Sequence, residues 1–246
     1  MKIIFSPSKG MRSSFSDIKN YNFMNSLKKE PFFLEEAMFI MDTIKIFSKS
    51  EMMKIFKLKG DLLEKTYFNY ENFNTLEARV SILQYQGVSF KNLDFCSYSI
   101  TNLEYLENHL RIFSALYGVL TPFTLIKEYR LDMTIKILKE SPYSYWSKKI
   151  NSYFSQEELI VNLASNEFSK IIDRKTHNII DIEFRQKQGD ILKNISTEGK
   201  KMRGKFLDYM AKNDILDIEK LKLFEDVEYK FSPEMSEERK FIFVKE

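Results

Sequence analysis

Cysteine is nearly missing from this 246-residue chain: Cys96 stands alone, which excludes an internal disulfide. Only two histidines, His109 and His177, accompany it. That is too few soft or imidazole ligands for the common zinc sites, so no metal site is expected. Seven glycines and five prolines leave no Pro/Gly/Ser-rich stretch to act as a linker, and one domain over residues 1–246 is expected. No apolar run approaches membrane-spanning length, and the opening MKIIFSPSKG is too short in its apolar part for a signal peptide. A cytoplasmic protein with no membrane partner is therefore expected. Internal repeats and low-complexity segments are lacking too.

What the chain does have is aromatic rings, 22 Phe and 13 Tyr, with 30% charged residues, the composition of an ordered globular protein. A net charge of +3 is too small to name a partner, but it is unevenly spread. Between Phe184 and Asn213 eight Lys/Arg (Arg185, Lys187, Lys193, Lys200, Lys201, Arg203, Lys205, Lys212) face three acids (Asp190, Glu198, Asp208). From Asp214 to Glu246 ten acids outnumber six bases. A basic side and an acidic side follow, the arrangement that steers a protein toward a polyanion; the same run also reads as a solvated helix face.

The stretch NHLRIFSALYGVLTPFTLIKEYRLDM, from Asn108 to Met133, is the most suggestive local pattern. Thr101 and Glu104 have capping-box spacing, and Leu103, Leu106, Leu110, Phe113 and Leu116 recur at three and four, which predicts one helix with Arg111 off its apolar face. Gly118 is placed to end it, and Thr121-Pro122 reads as the N-cap and first turn of a second helix. The unit resembles the helix-hairpin-helix motif of DNA-binding proteins, whose hairpin offers backbone N–H groups to a phosphate. An ordinary helix-helix turn is the other reading.

Elsewhere the pattern predicts a strand at Lys2 to Phe5, then a polar loop through Asn25. A helical region follows from Pro31 to about Ala78, with Phe33, Ala37, Ile40, Met41, Ile44 and Phe47 on one face and further helices at Glu51 to Phe56 and Asp61 to Phe68. Pro142 opens a helix carrying Trp146, Ile150, Tyr153 and Phe154, and Leu159 to Leu163 reads as a buried strand. His177 to Arg185 and Ile191 to Ser196 flank the turn Gln188-Gly189-Asp190 as a hairpin. Glu198 to Ala211 and Asp217 to Phe224 read as helices, and Tyr229 to Phe231 should pair with Phe241 to Val244. Strands and helices interleave without a βαβ repeat. The predicted class is α+β: a single mixed domain with a β-sheet, several helices and a helix-hairpin-helix-like element.

Several segments together resemble one family. They are Ser6-Pro7-Ser8-Lys9, His109-Leu110-Arg111, Leu116-Tyr117-Gly118-Val119-Leu120, Tyr129-Arg130-Leu131-Asp132-Met133, Asn162-Leu163-Ala164-Ser165-Asn166-Glu167 and Lys200-Lys201-Met202-Arg203-Gly204. In this order they are similar to the YaaA peroxide-stress family, also called DUF328. The resemblance implies a cytoplasmic bacterial protein that protects against hydrogen peroxide by limiting free intracellular iron, and that binds DNA through a basic cleft and a helix-hairpin-helix element. Gln86-Gly87-Val88 departs from the Lys-Gly-Asp more usual in the family.

Chemistry attaches to a few of these residues. Ser6 and Lys9 have the spacing of the Ser-x-x-Lys acyl-enzyme motif, but Pro7 after a strand favours a turn, and a phosphate-binding loop is the better reading. Arg111, Arg130 and Arg203 supply planar forks suited to phosphate, with Lys200 beside the last. Asn162, Ser165 and Glu167 follow a buried strand, where ligand groups gather in sheets with parallel strands; they read equally as a helix N-cap and first turn. Tyr117 reads as a base-stacking ring or as packing, with Gly118 beside it in the hairpin. DNA, recognised by backbone and shape, is the expected partner. The alternative is an enzyme acting on a nucleotide in the same cleft, with Lys9 and Glu167 as candidate catalytic groups. No motif calls for a cofactor.

Overall fold

Ile3, Ile4 and Phe5 are buried to the last atom or nearly so, because β1 (Lys2–Phe5) lies in mid-sheet with a parallel strand on each side. The computed structural model describes residues 1–12, 21–189, 191–226 and 228–245. Part of the polar loop expected before Asn25, and Asp190 of the expected turn, lie outside these.

A helical layer follows β1: α1 (Tyr21–Ser26), α2 (Leu34–Lys45), α3 (Lys49–Phe56) and α4 (Gly60–Glu71). Ala37, Ile40, Met41 and Ile44 form the buried stripe of α2, as their spacing predicts. Next come β2 (Arg79–Val80), the single turn α5 (Ser81–Gln84) and α6 (Ile100–His109). The strands β3 (Leu110–Ser114), β4 (Gly118–Leu120) and β5 (Leu125–Ile126) follow, then α7 (Pro142–Tyr153), β6 (Leu159–Asn162) and the turn α8 (Asn166–Ser169). The C-terminal third runs β7 (Asn178–Gln188), β8 (Ile191–Lys193), α9 (Ser196–Lys212), α10 (Ile218–Leu221), β9 (Lys230–Phe231) and β10 (Lys240–Lys245).

Eight of these strands form one mixed sheet in the order β4-β3-β1-β6-β7-β10-β9, with β8 paired to β7. The α+β class holds. The inner five strands are all parallel, and β4, β8 and β9 are added antiparallel. From β1 the chain passes to β3 on one side, and only later to β6 on the other, moving on to β7 and β10. The crevice between β1 and β6 is thus the point where the winding direction reverses. Ligands of sheets with parallel strands sit at the carboxyl ends of the strands at such a point.

The segment expected to form a helix-hairpin-helix is corrected here. The first helix ends at His109, the chain continues as β3, and β3 and β4 make an antiparallel hairpin with Ser114 opposite Gly118. After Thr121-Pro122 comes a turn closed by the Thr124 N–H on the Thr121 carbonyl at 3.1 Å, and then β5. The reason is burial: every residue from Leu110 to Leu120 is buried. An inner strand covered on both faces reads as a continuous apolar run, in which spacings of three and four occur by coincidence. The capping box also lies two residues earlier, with the Ser99 hydroxyl accepting the Asn102 N–H and the Asn102 side chain accepting that of Ser99.

Candidate functional site

A cavity of about 340 Å³ opens at the carboxyl ends of β1 and β6. Its floor is the tie between the residues that leave those strands. Ser6 Oγ accepts the Ser165 N–H at 2.8 Å and lies 3.1 Å from Ser165 Oγ, to which it donates. Just before, the Leu163 N–H continues the ladder onto the Ile4 carbonyl at 3.0 Å. Beyond this point the two chains part, and the space between them is the cavity.

Each wall is fixed by contacts readable residue by residue. Gly87 sits so close to Ser8 that a Cβ there would stand 2.4 Å from Ser8 Oγ, and the Gln86 N–H bonds the Gly10 carbonyl at 2.8 Å. Gly204 of α9 abuts the Ser89 carbonyl in the same way, and Ser89 Oγ donates to the Lys200 carbonyl at 2.8 Å. The loop from Gly87 to Phe90 is thereby clamped between the loop after β1 and α9. On the facing wall, Tyr70 donates to the Arg130 carbonyl at 2.8 Å. The buried Tyr129 hydroxyl lies 2.7 Å from Ser114 Oγ and 2.8 Å from the Tyr85 hydroxyl. Burial pushes the Tyr129 phenol up to about 12, so it stays protonated at neutral pH and serves this hydroxyl chain as a hydrogen-bonding group.

The charged lining is mostly cationic: Lys9, Arg130, Lys200 and Arg203, against Asp132 and Glu167. Lys9 Nζ is held by Asp132 Oδ2 at 2.6 Å. Two buried atoms in this lining, Arg203 Nε and Glu167 Oε1, have no hydrogen-bond partner among the described residues. Burial draws the Arg203 guanidinium below its ordinary value, opposed by Glu183. The remaining wall is apolar, with Phe90, Phe168, Tyr129, Leu131 and Leu163.

The structure thus brings together Ser6, Lys9, Arg130, Ser165, Glu167, Lys200 and Arg203 of the residues singled out in the sequence. It leaves four elsewhere. Arg111 is buried in β3, where its Nη1 donates to the Glu107 and Leu110 carbonyls at 3.0 and 2.7 Å and its guanidinium lies 5.8 Å from the centre of the Tyr153 ring. It caps the end of α6. Tyr117 is buried, packs edge-on to Tyr129 and accepts the Lys127 N–H. Gly118 turns the β3–β4 hairpin with φ of +72°, and a Cβ there would meet the Trp146 ring at 2.6 Å. Asn162 donates to Asp181 at 2.6 Å and accepts the Ala164 N–H. All four are engaged by the fold and lie outside the cavity lining, although Arg111 Nε is buried without a hydrogen-bond partner among the described residues. Ser6 and Lys9 do not form an acyl-enzyme pair either, since Lys9 binds Asp132 and Ser6 binds Ser165. Ser89, Phe90 and Phe168 were missed by sequence reading, which remarked in that stretch only on the departure at Gln86-Gly87-Val88.

The charge asymmetry expected from the sequence has a structural counterpart. Among the eight basic residues of the 184–213 stretch, Arg185, Lys205 and Lys212 are consumed by Glu183, Asp226 and the pair Asp94 and Asp208. Lys187, Lys193 and Lys200 are exposed and make no ion pair with a described residue. The β7–β8 hairpin that carries the first two projects past the β6 pairing, on the cavity side of the sheet. At the opposite edge, where the strands begin, two surface hollows are lined by Glu157, Glu158 and Asp217 and by Glu219, Glu237 and Glu238, with Lys222 and Arg239 among the latter.

No helix among the described residues is long and apolar enough to cross a membrane. Residues 1–235 match the family described as "Peroxide stress protein YaaA". The whole chain is 41% identical to a UPF0246 protein of Fusobacterium nucleatum, covering 99% of it, and 32% identical to a UPF0246 protein of Francisella philomiragia over the full length of both. A UPF0246 protein of Crocosphaera subtropica is 32% identical over 88% of this chain and 91% of its own.

Proposed function

The chain belongs to the YaaA peroxide-stress family, and from that premise we propose that it binds DNA through the cationic edge of its sheet. The observation that carries this reading is the concentration of Lys9, Arg130, Lys200 and Arg203 around one cavity, with Lys187 and Lys193 projecting on the same side and carboxylates gathered at the other. Such a distribution orients a protein on a polyanion before any contact forms. Exposed lysines that follow a backbone hold phosphates without reading bases. Protection from peroxide then follows from covering the DNA where iron and peroxide generate radicals. A smaller pool of free iron, the other property implied by the resemblance, belongs to the same proposal, with electron paramagnetic resonance of chelated iron in cells lacking the protein as its test.

The experiment for DNA is fluorescence anisotropy of labelled duplex, single-stranded and four-way-junction DNA at several salt concentrations. The expected result is salt-dependent binding whose log–log slope falls by about 2 to 3 in the Lys187→Ala, Lys193→Ala, Lys200→Ala triple variant, about 0.9 for each phosphate no longer neutralised. Absence of binding at low salt sinks the reading.

A second reading, chemistry on a nucleotide by Lys9 and Glu167, draws on the concave shape of the site and the unpartnered Glu167 Oε1. Incubation with a nucleotide panel, followed by chromatography for products, tests it.

A further inference from the structure

We propose that the cavity at the ends of β1 and β6 holds a single nucleoside monophosphate unit, its phosphate on Arg203 and Lys200 and its base against Glu167. The inference deepens the reading of this cavity as a phosphate-binding place and rests on it.

Size is the first argument. About 340 Å³ lies at the lower end of small-molecule sites. One nucleotide fits such a space; a duplex remains outside.

Hydrogen-bond complementarity is the second. Arg203 Nε offers a buried N–H with nothing to receive it, and Glu167 Oε1 is a buried acceptor with nothing to donate to it. Buried polar groups left in this state cost free energy, and their place in a cavity lining marks where a ligand restores the missing bonds. The ligand must therefore carry both an acceptor and a donor, and the cations around Arg203 favour an anionic acceptor. Inorganic phosphate gives Arg203 an anionic acceptor but no base edge for Glu167, and a nucleoside gives Glu167 a base edge but only neutral acceptors for Arg203. A nucleoside monophosphate supplies both, because its phosphate oxygens accept from a guanidinium and its base edge presents N–H donors. Lys200 stands one helical turn before Arg203 on α9 and lines the same wall. The Lys9–Asp132 pair satisfies itself and leaves these groups to the ligand.

Shape is the third. Phe90, Phe168 and Tyr129 with Leu131 and Leu163 form the apolar part of the lining, the surroundings a flat heterocycle prefers. Sugar phosphates and polyphosphates have no part that uses them.

Two sources supply this unit: a free nucleotide, or a nucleotide displaced from a DNA strand. The test is isothermal titration of the full chain with the four deoxynucleoside monophosphates, the matching nucleosides, deoxyribose 5-phosphate and inorganic phosphate. A parallel arm uses duplexes with and without one unpaired nucleotide. At least one monophosphate is expected to bind, with its nucleoside and deoxyribose 5-phosphate each weaker by about tenfold or more. Arg203→Met and Glu167→Ala are expected to abolish that preference, and Arg203→Lys and Glu167→Gln to restore part of it. Thermal melting of each variant identifies any that has lost its fold, and the conservative pair carries the test if the truncations do. Monophosphate binding without any DNA binding supports the cavity and removes the DNA reading. Stronger binding of the duplex with an unpaired nucleotide, reduced by the cavity variants, supports the cavity with DNA as its source. Binding of perfect duplex unaffected by the cavity variants, with no monophosphate bound, overturns the proposal and leaves the DNA reading standing. Equal binding of deoxyribose 5-phosphate and the complete nucleotide also overturns it.

Discussion

Ser6 and Ser165 are 159 residues apart in sequence, yet the hydroxyl of one accepts the backbone N–H of the other at 2.8 Å. This bond closes the floor of the cavity where β1 and β6 separate. Ser6→Ala leaves the partly buried N–H of Ser165 without its acceptor, at a cost of about 1–3 kcal/mol. The expected outcome is a melting temperature several degrees lower together with weaker ligand or DNA binding, measured by thermal denaturation and anisotropy on the same preparation. Unchanged stability and binding would show that the tie is dispensable.

Gly204 sets the distance between α9 and the loop that carries Ser89 and Phe90. Alanine is favoured over glycine in a helix by about 1 kcal/mol, so Gly204→Ala would stabilise a free helix. Here the added Cβ would stand 2.2 Å from the Ser89 carbonyl and 2.9 Å from Asn92 Cβ. The first neighbour is backbone and cannot swing aside. Overpacking of this kind costs about 1–3 kcal/mol, so net destabilisation is expected, with reduced binding as Lys200 and Arg203 move relative to Ser89. A variant that melts higher than wild type contradicts the clamp.

The elements legible in the sequence were those with one exposed face, together with the short apolar runs of β1 and β6 bounded by polar residues. The stripe of α2, the Pro142 start of α7, the β7–β8 hairpin and the pairing of β9 with β10 all carry a period or a punctuating residue. β3 and β4 were misread because β3 follows α6 without a break, so that its buried residues, which show no alternation, prolong the apolar spacing of the helix. Arg111 misled for a related reason: a guanidinium in a buried strand resembles a functional group until its partners, the Glu107 and Leu110 carbonyls, are seen. The cavity was partly legible because Ser6, Ser165 and Glu167 each follow a strand. That β1 and β6 are neighbours is a property of the sheet order, which no local pattern encodes.

Arg111→Met separates the two roles once open to this residue. The substitution removes two hydrogen bonds from a charged donor to backbone carbonyls, worth about 1.5–3 kcal/mol apiece at most, while keeping much of the buried apolar stem. A clear fall in melting temperature is expected. Because the side chain lies beneath the surface and outside the cavity lining, the salt slope of DNA binding should match wild type at temperatures where the variant is folded. A flatter slope would return Arg111 to the interface.

Asp181 is half-buried beside the cavity-forming end of β6, and burial alone would raise its carboxyl. Arg174 outweighs that with a two-pronged contact at 2.6 and 2.9 Å, aided by the Asn162 amide at 2.6 Å, and the net direction is downward. A carboxylate whose folded value lies below its unfolded value of about 3.9 contributes stability that is complete above the unfolded value and is lost as pH falls through the folded one. Arg174 is half-exposed, so solvent screens the pair and the contribution is about 1 kcal/mol or less. Melting temperature measured from pH 6 to pH 3 should therefore fall more steeply in wild type than in Asp181→Asn, which has no carboxylate to protonate and starts from a lower plateau. Asn162 also holds the Ala164 N–H, two residues before Glu167's helical turn begins at Asn166. Loss of the Asp181 carboxylate should thus loosen the Ser165 side of the cavity, and ligand affinity should decline with the same pH profile as stability. Parallel curves for the variant and wild type would show that Asp181 contributes to neither.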